Sequence, residues 1–297
     1  MAVFFHPPLS AATSSARVAP AQLSARWQRT YDFPLALNVD KWWGVVDLAL
    51  PAFGEFVSLR LSRFFRQVNT TADILARIQE LDVCDGSMKH LRGHVIELTS
   101  LQVLTIHNFA EGDLELASQL PALREIVLFN GCVSLLDMRN FVAVATLERR
   151  VVECGPFAHL AGLVRCTALE TVIFFKCSAL HNLSLASGLE KLRIFVVIEC
   201  SVNDVAWISE CHLLEVVNLS SCPANYDLAL LHGLVHLKVL DISEGNMYSV
   251  KELCSCVSLE TLNISHCAEI SEIAPLSQLR CLKEIKADYT SVSNLGA

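Results

Sequence analysis

The sequence predicts an α/β solenoid: short parallel strands stack into one wall, and the chain returns behind them through short helical or 3₁₀ turns. Three observations predict it. A frame of apolar residues recurs between Phe56 and Leu282 at steps of 22, 23, 22, 24, 22, 23, 22, 23, 22 and 23 residues. In the copies the fourth and sixth positions are apolar, Arg150 excepted, which puts both side chains on one face of an extended strand. Behind that strand apolar residues return every third position, the spacing of a 3₁₀ turn or short helix. So short a unit cannot bury its apolar side alone, so adjacent coils must cover it.

The stretch LETLNISHCAEISEIAPLSQLRC, residues 259–281, carries the whole frame. Leu259, Leu262, Ile264 and Cys267 take positions one, four, six and nine, and Ile270, Ile273, Leu276 and Leu279 follow at every third residue. The frame restarts at Phe56, Ile78, Leu101, Leu123, Leu147, Leu169, Leu192, Leu214, Leu237 and Leu282, which makes eleven copies. Where a copy has 22 residues, its later apolar positions move together by one place, as in Val205, Ile208 and Cys211 or Val250, Leu253 and Cys256.

This frame resembles the leucine-rich repeat, whose ninth position is Asn or Cys. The continuation formed by Cys267, Ile270, Ile273, Pro275 and Leu276 is similar to the cysteine-containing repeats of trypanosomatid leucine-rich repeat proteins. The resemblance spans about residues 56–297. It implies a right-handed horseshoe with a parallel sheet on the concave side and short helical or 3₁₀ turns on the convex side. It also implies that Cys177, Cys200, Cys222 and Cys267, all at position nine, turn inward and bond to loop backbone as a structural ladder. A thiol suits that slot as a small hydrophobe with a weak donor. Gly131, Gly155 and Gly245 share the position and read as residues of a tight turn.

Residues 1–30 lie outside the repeat. Arg17, Arg26 and Arg29, four serines and no acid before Asp32 resemble a mitochondrial transit peptide. The prolines of FFHPPLS would break an early helix, so a disordered leader is the other reading. Residues 31–55, apolar and aromatic with Trp42 beside Trp43, are expected to cap the first full coil, with Leu35 and Leu37 in a degenerate strand. Residues 56–297 form the solenoid. Its last copy stops sixteen residues in, at Ala297, and reads as a fragment or truncated gene product.

A net charge of −8 argues against nucleic acid as a partner. No apolar run reaches the eighteen or so residues of a membrane span. The twelve cysteines begin at Cys84 and form no paired C-x-x-C, and the lone Cys254-Ser-Cys256 is weak as a metal motif, so no metal or other cofactor is expected. A chain this rich in thiols fits a reducing compartment, the cytoplasm or alternatively the mitochondrion. Asn69, Asn182, Asn218 and Asn263 head N-x-[ST] sequons, and two of these fall within strands, where glycans would crowd the sheet. None of G-x-x-x-x-G-K-[ST], H-E-x-x-H or G-x-S-x-G occurs, so the function is expected to be non-catalytic. His107 and His266 read as solvated.

In the implied fold, positions three, five and seven face the concave side. The fifth and seventh columns turn apolar in the same middle copies: Val127, Phe129, Val151, Ile173, Phe175, Val196 and Ile198. Ile194 and Val216, at position three, extend the group. At a strand spacing of about 4.8 Å this predicts on the order of 400 Å² of exposed apolar surface, the size of a binding patch. Alternatively the columns reflect only the strand preference of Val, Ile and Phe, or lie under the leader. Glu153 sits inside the group and either orients a basic group on a ligand or is neutralised by Arg149 and Arg150. Arg150 takes a normally buried fourth position and predicts a locally distorted copy. The expected function is a protein–protein interaction module that grips a protein or peptide on the concave face. Relatives of the resembled family also suggest a regulatory subunit or adaptor of a GTPase, phosphatase or ubiquitin ligase, or an extracellular adhesin.

Overall fold

Strands begin at the third position of every copy. A computed structural model of the chain describes residues 36–38, 44–47, 58–61, 65–69, 72–84, 87–131, 146–153, 155, 163, 166–181, 183, 188–222 and 226–293. Residues 1–30 lie outside the described residues, as do Leu35, Trp42 and Trp43. The strands are β1 (Ala36–Asn38), β2 (Gly44–Asp47), β3 (Ser58–Leu61), β4 (Phe65–Asn69), β5 (Glu80–Cys84), β6 (Val103–His107) and β7 (Glu125–Phe129). They continue as β8 (Arg149–Glu153), β9 (Thr171–Phe175), β10 (Ile194–Ile198), β11 (Val216–Asn218), β12 (Val239–Asp241), β13 (Thr261–Asn263) and β14 (Glu284–Lys286). Among the described residues, twelve of them form one parallel sheet in the order β1-β3-β5 and then β6 to β14 in sequence. This is an open solenoid of leucine-rich repeat form.

The register repeats coil by coil. Glu125, Ile126 and Val127 of β7 stand opposite Arg149, Arg150 and Val151 of β8, and those stand opposite Thr171, Val172 and Ile173 of β9. Each position-two carbonyl accepts two bonds from the next coil, for example from Arg124 N and Glu125 N to Gln102 O, both 2.9 Å. A line of position-two side chains adds charge pairs above these bonds: Arg124 with Glu148 at 3.3 Å, Lys238 with Glu215 at 2.9 Å and Lys283 with Glu260 at 2.6 Å. Arg193 also bonds to Glu215.

Positions four and six point into one continuous core with the turns behind them. Leu104, Ile106, Leu128, Phe174, Leu240 and Ile264 are completely buried. The returning segments are mostly 3₁₀: Ser87–Leu91, Val95–Glu97, Ala206–Glu210, Leu228–Leu231, Lys251–Ser255 and Ala274–Gln278. Two short α-helices, α1 (Ala72–Leu75) and α2 (Glu111–Ala117), occur in the earlier coils. The Trp207 ring meets Phe195 edge-on at 4.9 Å, linking a 3₁₀ turn to its strand. A second, two-stranded parallel sheet joins β2 to β4, an element the repeat frame does not predict.

In the eight coils whose position eight is among the described residues, the chain leaves its strand there through one left-handed residue. Asn108, Asn130, Lys176, Glu199, Ser221, Glu244, His266 and Tyr289 all have φ between 52° and 63°. The conformation costs a non-glycine residue energy. It also aims the position-eight N–H at the next coil's position-seven carbonyl, as in Asn108 N to Phe129 O at 2.8 Å and His266 N to Asp288 O at 2.7 Å. The tight turn expected of glycine at position nine therefore lies one residue earlier. Gly245 is needed for space instead, since a Cβ there would stand 2.9 Å from the carbonyl oxygen of Ile242.

Position nine carries the inward thiols. Cys177, Cys200, Cys222 and Cys267 are buried. Cys222 Sγ donates to Val197 O at 3.5 Å and Cys267 Sγ to Ile242 O at 3.2 Å, each acceptor in the preceding coil. Those carbonyls come free for a local reason. Asn218 Oδ1 and Asn263 Oδ1 accept the N–H groups of Ser220 and Ser265, at 2.9 and 3.1 Å, diverting them from the sheet ladder. Asp241 does the same for Ser243 at 3.0 Å. These Asx-x-Ser segments explain why β11, β12 and β13 span three residues while β5 to β10 span five. Beside the full-length β9 the corresponding contact, Cys177 Sγ to Val152 O, is longer, at 3.8 Å.

Candidate functional site

Four adjacent strands, β7 to β10, carry the apolar columns on the face opposite the core. Val127, Val151, Ile173 and Val196 at position five belong to no part of the continuous core, yet they are only 3%, 8%, 7% and 2% exposed. The expectation of a broad exposed patch is corrected here. The column lies along the centre line of the sheet, hemmed by neighbours one strand spacing away and by positions three and seven. Asn218, Asp241 and Asn263 are equally buried in the same column, so the cause is geometry and not apolarity. The accessible apolar surface lies on the flanks: Phe129, Phe175 and Ile198 at position seven, and Ile194 and Val216 at position three, all partly exposed.

Glu153 stands between Phe129 and Phe175 in the position-seven row, opposite each across β7–β8 and β8–β9. It too is partly exposed. Neither arginine expected to neutralise it does so. Arg149 Nε lies 2.8 Å from Glu125 Oε1 in the position-three row. Arg150 projects to the opposite face and is completely buried, where burial lowers its guanidinium pKa to about 10. Strand β8 keeps its register on both sides, so this buried arginine does not distort the sheet.

The two inner-face histidines read as solvated both have partners. His107 Nε2 lies 3.2 Å from Asp82 Oδ1, and its ring stacks on Phe129 at 4.7 Å. His266 stacks on Tyr289 at 4.5 Å. Lys176 Nζ sits 4.7 Å from the centroid of the Phe175 ring and 3.9 Å from Glu199 Oε2. Toward β11–β13 the inner face turns polar, and Asn263 Nδ2 donates to Asp241 Oδ2 at 3.0 Å. The sequon asparagines Asn218 and Asn263 are buried in this lane, closed to a glycan in the folded chain. Among the described residues no three His, Cys, Asp or Glu side chains converge as a metal site.

A one-directional parallel sheet backed by 3₁₀ turns, with buried cysteines at the ninth position of four described coils, defines a leucine-rich repeat solenoid. No protein-family model matches the sequence, and no curated protein does. Among solved structures the chain is similar to an internalin (inlF) from Listeria monocytogenes, with a TM-score of 0.64 and 17% identity over 80% of this chain and 68% of that one. It is also similar to an internalin C2 (inlC2) from the same organism, with a TM-score of 0.50 and 15% identity over 73% and 84%. At such identities the likeness speaks for the fold. No helix among the described residues is long and apolar enough to cross a membrane.

Proposed function

We propose that this chain is a non-catalytic protein-interaction module that docks a protein or peptide segment on the inner face of β7 to β10 and the start of β11. The observation that carries the reading is the coincidence of apolar residues at positions five and seven in four consecutive coils, broken only by Glu153, beside coils whose fifth and seventh positions are Asn or Asp and Ser. Aromatic anchors bordered by polar groups have the anatomy of an interface hot spot. The buried centre line supplies a rigid floor, and Phe129, Phe175, Ile194, Ile198 and Val216 supply the accessible apolar contacts. Nine of the described cysteines are free thiols and seven of these are buried, which supports residence in a reducing compartment such as the cytoplasm.

The test compares the proteins captured by the wild-type chain with those captured by a Phe129→Ser/Phe175→Ser double variant and by a Tyr248→Ser control. Tyr248 is well exposed and lies in a different coil from these strands. The double variant is expected to lose the partners that the control retains, with circular dichroism and thermal unfolding unchanged. Identical captures by all three proteins would refute the site.

A further inference from the structure

The position-seven row defines the chemistry of one contact more sharply. Phe129, Glu153 and Phe175 occupy three successive strands in register. Of the acidic residues on this face, Asp82 is matched by His107 and Glu125 by Arg149. Among the described residues no ion pair or hydrogen bond holds the Glu153 carboxylate. Phe129 and Phe175 flank it on the two neighbouring strands, and an apolar border raises the worth of a cation placed above it. The strand spacing of about 4.8 Å puts both rings about 5 Å from a cation centred over Glu153, within the roughly 6 Å reach of a cation–π contact. The molecule already contains one such arrangement, because Lys176 rests on Phe175 and reaches Glu199.

We propose that Phe129, Glu153 and Phe175 form a receptor for a single cationic side chain, lysine or arginine, carried by a docked peptide. The inference rests on the concave-face reading above and adds the partner's chemistry: a basic residue flanked by apolar ones. The basic residue seats between the rings, and its apolar neighbours meet Ile194, Ile198 and Val216. The net charge of −8 on the chain favours the same partner over an acidic one.

A positional-scanning library of N-acetylated hexapeptide amides, bound to the full chain, tests the idea. Enrichment of Arg or Lys at one position is expected, by about tenfold over norleucine or citrulline, with apolar residues preferred beside it. Glu153→Gln should erase the basic preference and keep the apolar one, and Glu153→Lys should turn the preference to Asp or Glu. A basic preference that survives both substitutions overturns the assignment to Glu153. Apolar peptides bound without basic preference, and lost in the Phe129→Ser/Phe175→Ser variant, overturn the receptor while the docking face stands. No hexapeptide binding, or binding indifferent to the double variant, overturns both.

Discussion

Cys267 and Gly245 meet at one oxygen. The Cys267 thiol donates to the Ile242 carbonyl at 3.2 Å, and a methyl group on Gly245 would press on that same atom from 2.9 Å. Gly245→Ala is therefore expected to destabilise the fold by about 1–3 kcal/mol. Cys267→Ala should cost about 1–2 kcal/mol through the lost contact and the bond left unmade. Because both act on one carbonyl, the double variant should lose less than the sum, as urea unfolding of all four proteins would read out. Thiol reactivity gives a second check. Cys281 is exposed, while burial pushes the Cys211 thiol up to about 12. Site-resolved alkylation at neutral pH should modify Cys281 first and reach Cys211 only on unfolding. Early modification of Cys211 would contradict the packing. At this scale the sequence was partly legible. Inward thiols at position nine follow from the resemblance, but the left-handed residue at position eight does not. Asn108 and Asn130 hint at it; Lys176 and Glu199 carry no such hint, because a ladder bond and not residue preference holds them there.

Strand starts were readable because an apolar residue on one face must recur at a fixed place in every coil. Strand ends were not, because a side-chain amide or carboxylate decides them. Asn218, Asp241 and Asn263 each capture a backbone N–H two residues on, and in the sequence two of them announced only a sequon. Asp241 is buried, its carboxylate bonded by Ser243 and Asn263. Asp241→Ala, which strands these donors, should cost about 2 kcal/mol by chemical denaturation. The position-two charge line behaves differently. Lys238 and Arg193 hold the Glu215 carboxylate below its usual pKa. A carboxylate with a lowered folded pKa contributes stability above its unfolded pKa and loses it as pH falls through the folded one. Glu215→Gln should therefore lower Tm slightly at neutral pH, and the deficit should vanish in acid and shrink in high salt. A deficit that persists in acid would assign Glu215 a packing role instead. The β2–β4 sheet joins the non-repeating start of the chain to the first copy, and the repeat frame offers no guide to such a pairing.

For the whole molecule, stacking turns a sequence column into a surface row, which is why the candidate site could be read before any coordinates. Solvent access could not be read the same way. It depends on what flanks each column, so Val127 and Val196 lie buried at the centre of the face while Phe129 and Phe175 border it. The pairing of Arg149 with Glu125, and with it the availability of Glu153, likewise needed the register of β7 against β8. The most direct measurement replaces Ile198, on the inner face, with p-benzoylphenylalanine and irradiates the chain with its captured partners. A parallel sample carries the same group at Tyr248. A partner adduct formed from position 198 and not from 248 is the predicted result. Adducts from 248 alone, or equally from both, would contradict docking on the inner face.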